Sequence, residues 1–253
     1  LRKEKKNAIH KNSNFFIIPS LTEINNKKLL IYTDHMYGEF IQTERIHHFP
    51  GHIIQIRDLE NKWFFNFIEG PVQNLKEYIN VYKIEEITIM GYSLGGTGAL
   101  YLSKYFKDAI CISINPQIIT NWADNNYSFH KLSPDKFRNY YKLLNIPYNI
   151  RKHIATTETK TYILVDNAED TIEYWGDTLH AGNVPKNKNI NLIQFNIVGH
   201  NELMKVLLSK TKKDDDYLIN LINLKHSELK TDKTLLENVE LDLEEIVWSI
   251  EKK

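Results

Sequence analysis

Ile87-Thr88-Ile89-Met90-Gly91-Tyr92-Ser93-Leu94-Gly95-Gly96-Thr97-Gly98-Ala99-Leu100-Tyr101-Leu102 is the stretch on which the reading turns. An apolar β-type run, Ile87–Met90, leads into Gly91-Tyr92-Ser93-Leu94-Gly95-Gly96, and a helix-type run from Thr97 leads out. Strand, tight turn and helix around G-x-S-x-G-G is the context of a nucleophile elbow. The spacing has a chemical reason. A serine hydroxyl is a weak nucleophile and must be exposed, aimed at a base and close to oxyanion donors. A sharp turn at a strand end achieves this only if the residues two places away lack bulky side chains, which Gly91 and Gly95 satisfy. The following helix aims its positive end and free N–H groups at the same point. Four of the ten glycines in the chain fall between positions 91 and 98. The competing explanation is a tight β–α turn in an unrelated doubly wound domain, with Ser93 as an ordinary helix N-cap.

Working outward, apolar runs predict strands at Phe15–Ile18, Leu29–Thr33, His52–Arg57, Ile87–Met90, Ala109–Ile114, Thr161–Val165 and Asn191–Ile197. Continuous rather than alternating apolar character points to parallel strands covered on both faces. Helical spacing predicts helices over Val72–Tyr82, Thr97–Phe106 and Glu202–Leu208. Strand alternating with helix gives an α/β fold with a mostly parallel, doubly wound sheet. Ligands of such sheets bind beyond the carboxyl ends of the strands, where Ser93 would lie. Two stretches stand outside the alternation. Residues 117–160 form a long, lid-like insert rich in aromatics, including Trp122, Tyr140 and Tyr141. A plain helical excursion on the sheet edge is the alternative. In residues 212–253, Leu235, Leu236, Val239, Leu243, Ile246, Val247 and Ile250 follow helical spacing with acidic residues between. This predicts an amphipathic C-terminal extension, a candidate homo-oligomer contact. The main domain is assigned to residues 1–211.

A serine of this type is followed in chain order by an acid and then a histidine. The run Tyr162–Val165 is followed by Asp166-Asn167-Ala168-Glu169-Asp170. Asp170, four residues past Asp166, suits a strand–G-x-x-D placement and is preferred, with Asp166 as the competitor. The base must follow the last strand, where Val198-Gly199-His200-Asn201 makes His200 the candidate. His200 would take the Ser93 proton as Ser93 attacks an acyl carbonyl, and the aspartate would hold the ring tautomer. Two oxyanion donors are needed. The Leu94 N–H is one; the second is assigned to the Thr33–His35 segment, centred on Asp34. His47, His48 and His52 cluster in sequence, but no companion ligand has suitable spacing, so no metal is expected. Asp58, Trp63 and Phe64 read as a turn cap and core aromatics, or as pocket lining.

Bulk properties narrow the classes. The chain has 253 residues, 42% hydrophobic and 25% charged, with 32 basic and 32 acidic side chains. That suits one folded domain and gives no reason to expect nucleic acid or an anionic membrane as partner. The single cysteine, Cys111, sits in an apolar run and reads as a buried strand residue. No apolar run approaches a membrane span of roughly 20 residues, and the apolar stretch after the N-terminal lysines is too short for a signal peptide. A cytoplasmic location is the expectation.

Gly91–Gly96, the acid loop and Val198–Glu202 resemble the α/β-hydrolase superfamily. Within it, the chain is similar to bacterial capsular polysaccharide O-acetyltransferases of α/β-hydrolase type. These carry a G-x-S-x-G-G elbow, an Asn/Ala-Pro-Gln after the next strand, matched by Asn115-Pro116-Gln117, and a Gly-His-Asp/Asn segment, matched near His200. The resemblance covers residues 85–205. It implies an acyl-enzyme on Ser93 and a sugar hydroxyl as acceptor, with O-acyl groups of a bacterial surface glycan as substrate. Transferase and esterase share the triad and differ in what intercepts the acyl-enzyme. No bound cofactor is implied; acetyl-CoA is a candidate acyl donor. Glycoprotein-export accessory proteins of the same fold are also similar in outline, so a catalytically quiet partner protein in glycan assembly or export is the rival expectation.

Overall fold

The computed structural model describes residues 15–18, 27–34, 46, 49, 51–58, 64, 69–118, 150–166, 177–182, 184–194 and 203. In chain order the elements are β1 (Phe15–Ile18), β2 (Lys28–Thr33), β3 (His52–Ile56), α1 (Glu69–Val81), β4 (Glu86–Tyr92), α2 (Leu94–Ser103), β5 (Ile110–Ile114), α3 (Ile150–Ala155), β6 (Lys160–Val165), α4 (Asp177–Gly182) and β7 (Ile190–Gln194). The strands form one seven-stranded sheet in the order β1-β3-β2-β4-β5-β6-β7. β1 is antiparallel to β3, and every other pairing is parallel.

All seven expected strands form. β4 runs two residues further than the apolar run suggests, because its pairing continues: Gly91 opposes Thr33 and Ser113 on its two sides, and Tyr92 opposes Ile114 on one. The central strands are exposed only at their amino ends and buried from there on, so their carboxyl ends lie under covering structure. Cys111 is buried in β5 as expected. α2 begins at Leu94, three residues earlier than its sequence suggests, because Gly95 and Gly96 are helical. α4 has no counterpart among the expected helices. Apart from Leu203, the expected Glu202–Leu208 helix lies outside the described residues, as do most of the 117–160 insert and the C-terminal extension.

All ten residues of α2 are buried, as expected of a helix apolar all round. It packs on β4, β5 and α3, and Leu100, Leu102 and Ala99 join Ile89, Cys111, Ile163 and Ile154 in one core. Each large aliphatic side chain buried here contributes about 1.5–3 kcal/mol. Near the end of the insert Ile150 and Ile154 belong to this core and are fully buried.

A buried helix end must find partners for its last four carbonyls, and α2 finds all of them. Ser103 Oγ donates to Leu100 O at 2.7 Å and His153 Nε2 to Tyr101 O at 2.8 Å. Tyr105 N–H donates to Leu102 O at 2.9 Å and Phe106 N–H to Ser103 O at 3.2 Å, where Thr159 Oγ1 also donates. The His153 ring stacks on Tyr101 with centroids 4.6 Å apart. Burial pushes its pKa down to about 4, so the ring is neutral at pH 7.

Candidate active site

The opposite end of α2 is treated differently. Ser93 occupies the N-cap position with φ 54° and ψ −122°, and its side chain makes no cap hydrogen bond. An N-cap residue normally has β-region dihedrals and an accepting side chain. The backbone here does neither, so the ordinary N-cap explanation fails. A non-glycine residue in this region of φ/ψ is strained by about 1–3 kcal/mol, and such strain gathers at functional sites. The Ser93 N–H donates to Ile114 O at 2.8 Å and Ser93 O accepts from Thr97 N–H at 3.1 Å. The backbone on both sides is therefore fixed while the side chain, half-buried, projects from the turn. Leu94, Gly95 and Gly96 open the helix, so their N–H groups have no intrahelical acceptor.

The glycines are required by contact. A Cβ on Gly91 would lie 2.2 Å from Gly95 O and 2.3 Å from Thr33 Oγ1; a Cβ on Gly95 would lie 2.1 Å from Thr33 O. Strand β2 and the first turn of α2 thus touch backbone to backbone, which holds the turn as sharp as it is.

Hydroxyls on the flanking strands fasten the turn. Thr33 Oγ1 lies 2.6 Å from Gly95 O and 3.1 Å from Met90 O. Ser113 Oγ donates to Gly96 O at 2.8 Å. Thr97 Oγ1 donates to Gln117 O at 3.0 Å and accepts from Gln117 N–H at 2.9 Å. Thr33, Ser113 and Thr97 are fully buried. Ser113 and Thr97 are absent from the expected site, and Thr33 enters it only as part of the Thr33–His35 oxyanion segment, yet a signal existed. A hydroxyl inside an otherwise apolar buried strand, as in Ile-Cys-Ile-Ser-Ile, must have a partner.

Asp34 requires a correction. It is fully buried at the end of β2, but its N–H, expected as an oxyanion donor, donates to Ile56 O at 2.7 Å. The sheet ladder continues one residue past β2 and uses that donor. Leu94 is the first residue of α2, directly after Ser93. Asp166 is fully buried at the end of β6, its N–H donating to Asn115 Oδ1 at 3.0 Å and its Oδ2 accepting from Asn115 Nδ2 at 3.3 Å. It sits two strands from Ser93 along the carboxyl edge, roughly 10 Å at normal strand spacing. Asp170 and His200 lie outside the described residues. Asp58 accepts from Phe64 N–H at 3.0 Å, and Phe64 is core, in line with the turn-cap reading. His52 meets Tyr78 Oη at 2.9 Å through Nδ1. Among the described residues no group of three His, Cys, Asp or Glu side chains is placed to hold a metal, and no helix is long and apolar enough to cross a membrane.

No protein-family model and no curated protein matches the chain. Solved structures do. The 2,6-dihydroxy-pseudo-oxynicotine hydrolase superposes with TM-score 0.53 at 12% identity, over 83% of this chain and 64% of its own length. Est1E from Butyrivibrio proteoclasticus superposes with TM-score 0.50 at 14% identity, over 81% of this chain and 95% of its own. With its mostly parallel seven-stranded sheet and these superpositions, the chain has the α/β-hydrolase fold.

Proposed function

We propose that the chain is a serine hydrolase or acyltransferase working through an acyl-enzyme on Ser93, with His200 as general base and Asp170 as the acid that orients it. The observation that carries this reading is Ser93 itself. It sits half-buried at the carboxyl end of the central strand, in strained backbone, and it does not cap its helix. An ordinary turn has no use for such a conformation, whereas a nucleophile needs one. His200 takes the hydroxyl proton as Ser93 Oγ attacks the acyl carbonyl, and returns it to the departing alcohol. Water or an acceptor hydroxyl then releases the acyl group by the reverse sequence. The Leu94 N–H stabilises the oxyanion at the start of α2. Within the Thr33–His35 segment, the amide of His35 is the remaining candidate for the second donor, since that of Asp34 is engaged.

The fold and a hydrolase among its structural neighbours support a hydrolytic reading. The substrate class, O-acyl groups of a bacterial surface glycan, rests on the resemblance carried by Asn115-Pro116-Gln117 and Gly199-His200-Asn201. The test is turnover of p-nitrophenyl acetate with and without O-acylated or acceptor glycans. Ester cleavage is expected in both cases, with acetyl transfer to a glycan hydroxyl when the acceptor is present. Absence of any ester turnover by the folded protein would favour the catalytically quiet partner instead.

A further inference from the structure

Residues 113–117, which follow and end β5, touch both halves of the proposed site. On one side they hold the elbow. Ile114 O accepts the Ser93 N–H, Ser113 Oγ holds Gly96 O and Gln117 exchanges two hydrogen bonds with Thr97. On the other side Asn115 holds the start of the acid loop. Its N–H donates to Leu164 O at 2.7 Å. Its side-chain amide both accepts the Asp166 N–H and donates to the Asp166 carboxylate. Asn115 and Asp166 are each fully buried, where such bonds are not exchanged freely with water. Asn115 also has φ 43°, a left-handed conformation that asparagine tolerates better than most residues. That turn lets one side chain reach across to the neighbouring strand end.

We propose that Asn115 is a positioning residue: it sets the register of the loop leaving β6, and through it the placement of the acid at Asp170, relative to Ser93. The proposal rests on the triad reading given above. Asp170 is four residues beyond Asp166, a span of at most about 14 Å. Asn115, which ties the anchor, lies between Ile114 and Gln117, which tie the elbow. The two halves of the site are therefore built on one short segment rather than on separate parts of the sheet.

The test is a double-mutant cycle on p-nitrophenyl acetate turnover. Asn115→Gly keeps the positive φ at no steric cost and removes the clamp. Asn115→Asp keeps the size and the acceptor but sets a carboxylate against Asp166. In the otherwise native protein each is expected to lower kcat roughly 10- to 100-fold, the scale of a small misplacement of reacting groups, with KM little changed. In an Asp170→Asn background the same substitutions should have almost no further effect, because the group they act through is gone. Equal losses in both backgrounds, or no loss in the native one, would overturn the proposal while leaving the triad intact. Should Asp170→Asn alone leave turnover unchanged, the acid assignment itself falls and takes the proposal with it.

Discussion

At Gly95 the distance between a working turn and an impossible one is a single methyl. The Cβ of an alanine would sit 2.1 Å from Thr33 O, a backbone atom fixed in a two-sided parallel ladder, so neither partner can yield cheaply. Gly95→Ala is expected to cost about 3 kcal/mol or more, seen as a drop in Tm of roughly 10 °C, and to remove ester turnover in whatever protein folds. An unchanged melting curve would mean the turn is looser than described. The two aspartates make a second contrast. Asp166 is held at both its N–H and its carboxylate by Asn115, which marks it as an anchor. Asp170→Asn is expected to lower kcat by orders of magnitude, on the order of 10⁴ by the serine-protease precedent, and Asp166→Asn by much less. A reversed ranking in steady-state kinetics would move the acid to the strand end. Gly91, Gly95 and Ser93 were legible because their chemistry imposes a fixed spacing. The part that the Thr33 and Ser113 side chains play in fastening the turn was not legible, because a hydroxyl in a strand announces that it has a partner without saying which one.

At the scale of elements, α2 is held asymmetrically. Its carboxyl end is saturated by side chains from its own last turn, α3 and the turn before β6 and by the backbone N–H groups of Tyr105 and Phe106, whereas its amino end is left to the site. The asymmetry has a pH consequence. The pKa of His153 is lowered to about 4 from an ordinary 6.5 by burial. Between those values the unfolded chain binds the proton and the folded one does not, so stability falls as pH falls through that window. The loss approaches an order of 3 kcal/mol by pH 4. A His153→Gln variant, which keeps a donor for Tyr101 O, lacks this titration. Denaturant unfolding of both proteins at pH 7 and pH 4.5 should show the native protein losing more; parallel losses would contradict the neutral, buried ring. The strands were readable from continuous apolar runs because parallel sheets bury both faces. The start of α2 was misplaced by three residues because Gly95-Gly96 looks like a helix breaker, yet here contact with β2 and β5 excludes any side chain. α4, six residues long, is too short for a periodic signal.

For the whole molecule, the sheet gathers the ends of β2, β4, β5 and β6 at one edge; the insert at 117–160 leaves the body there and re-enters it at the opposite end of α2. It departs beside Gln117, bonded to Thr97, and returns through α3, packed on α2. The sequence marks this insert as unusual by its aromatics, but composition cannot say whether they cover a site or fill a core. If the proposed transfer function holds, the acyl-enzyme must be shielded from water until a sugar hydroxyl arrives. Trp122→Ala should then shift product partitioning from acetylated glycan towards free acetate while p-nitrophenyl acetate cleavage persists. An unchanged ratio would remove Trp122 from that role. All of this stands on Ser93 as the nucleophile, and active-site labelling tests that most directly. A fluorophosphonate probe, followed by mass analysis of the labelled peptide, should place one adduct on Ser93. Labelling and ester turnover should both vanish in Ser93→Ala with the fold retained. Undiminished labelling of that variant, or an adduct on a different serine, would contradict the account.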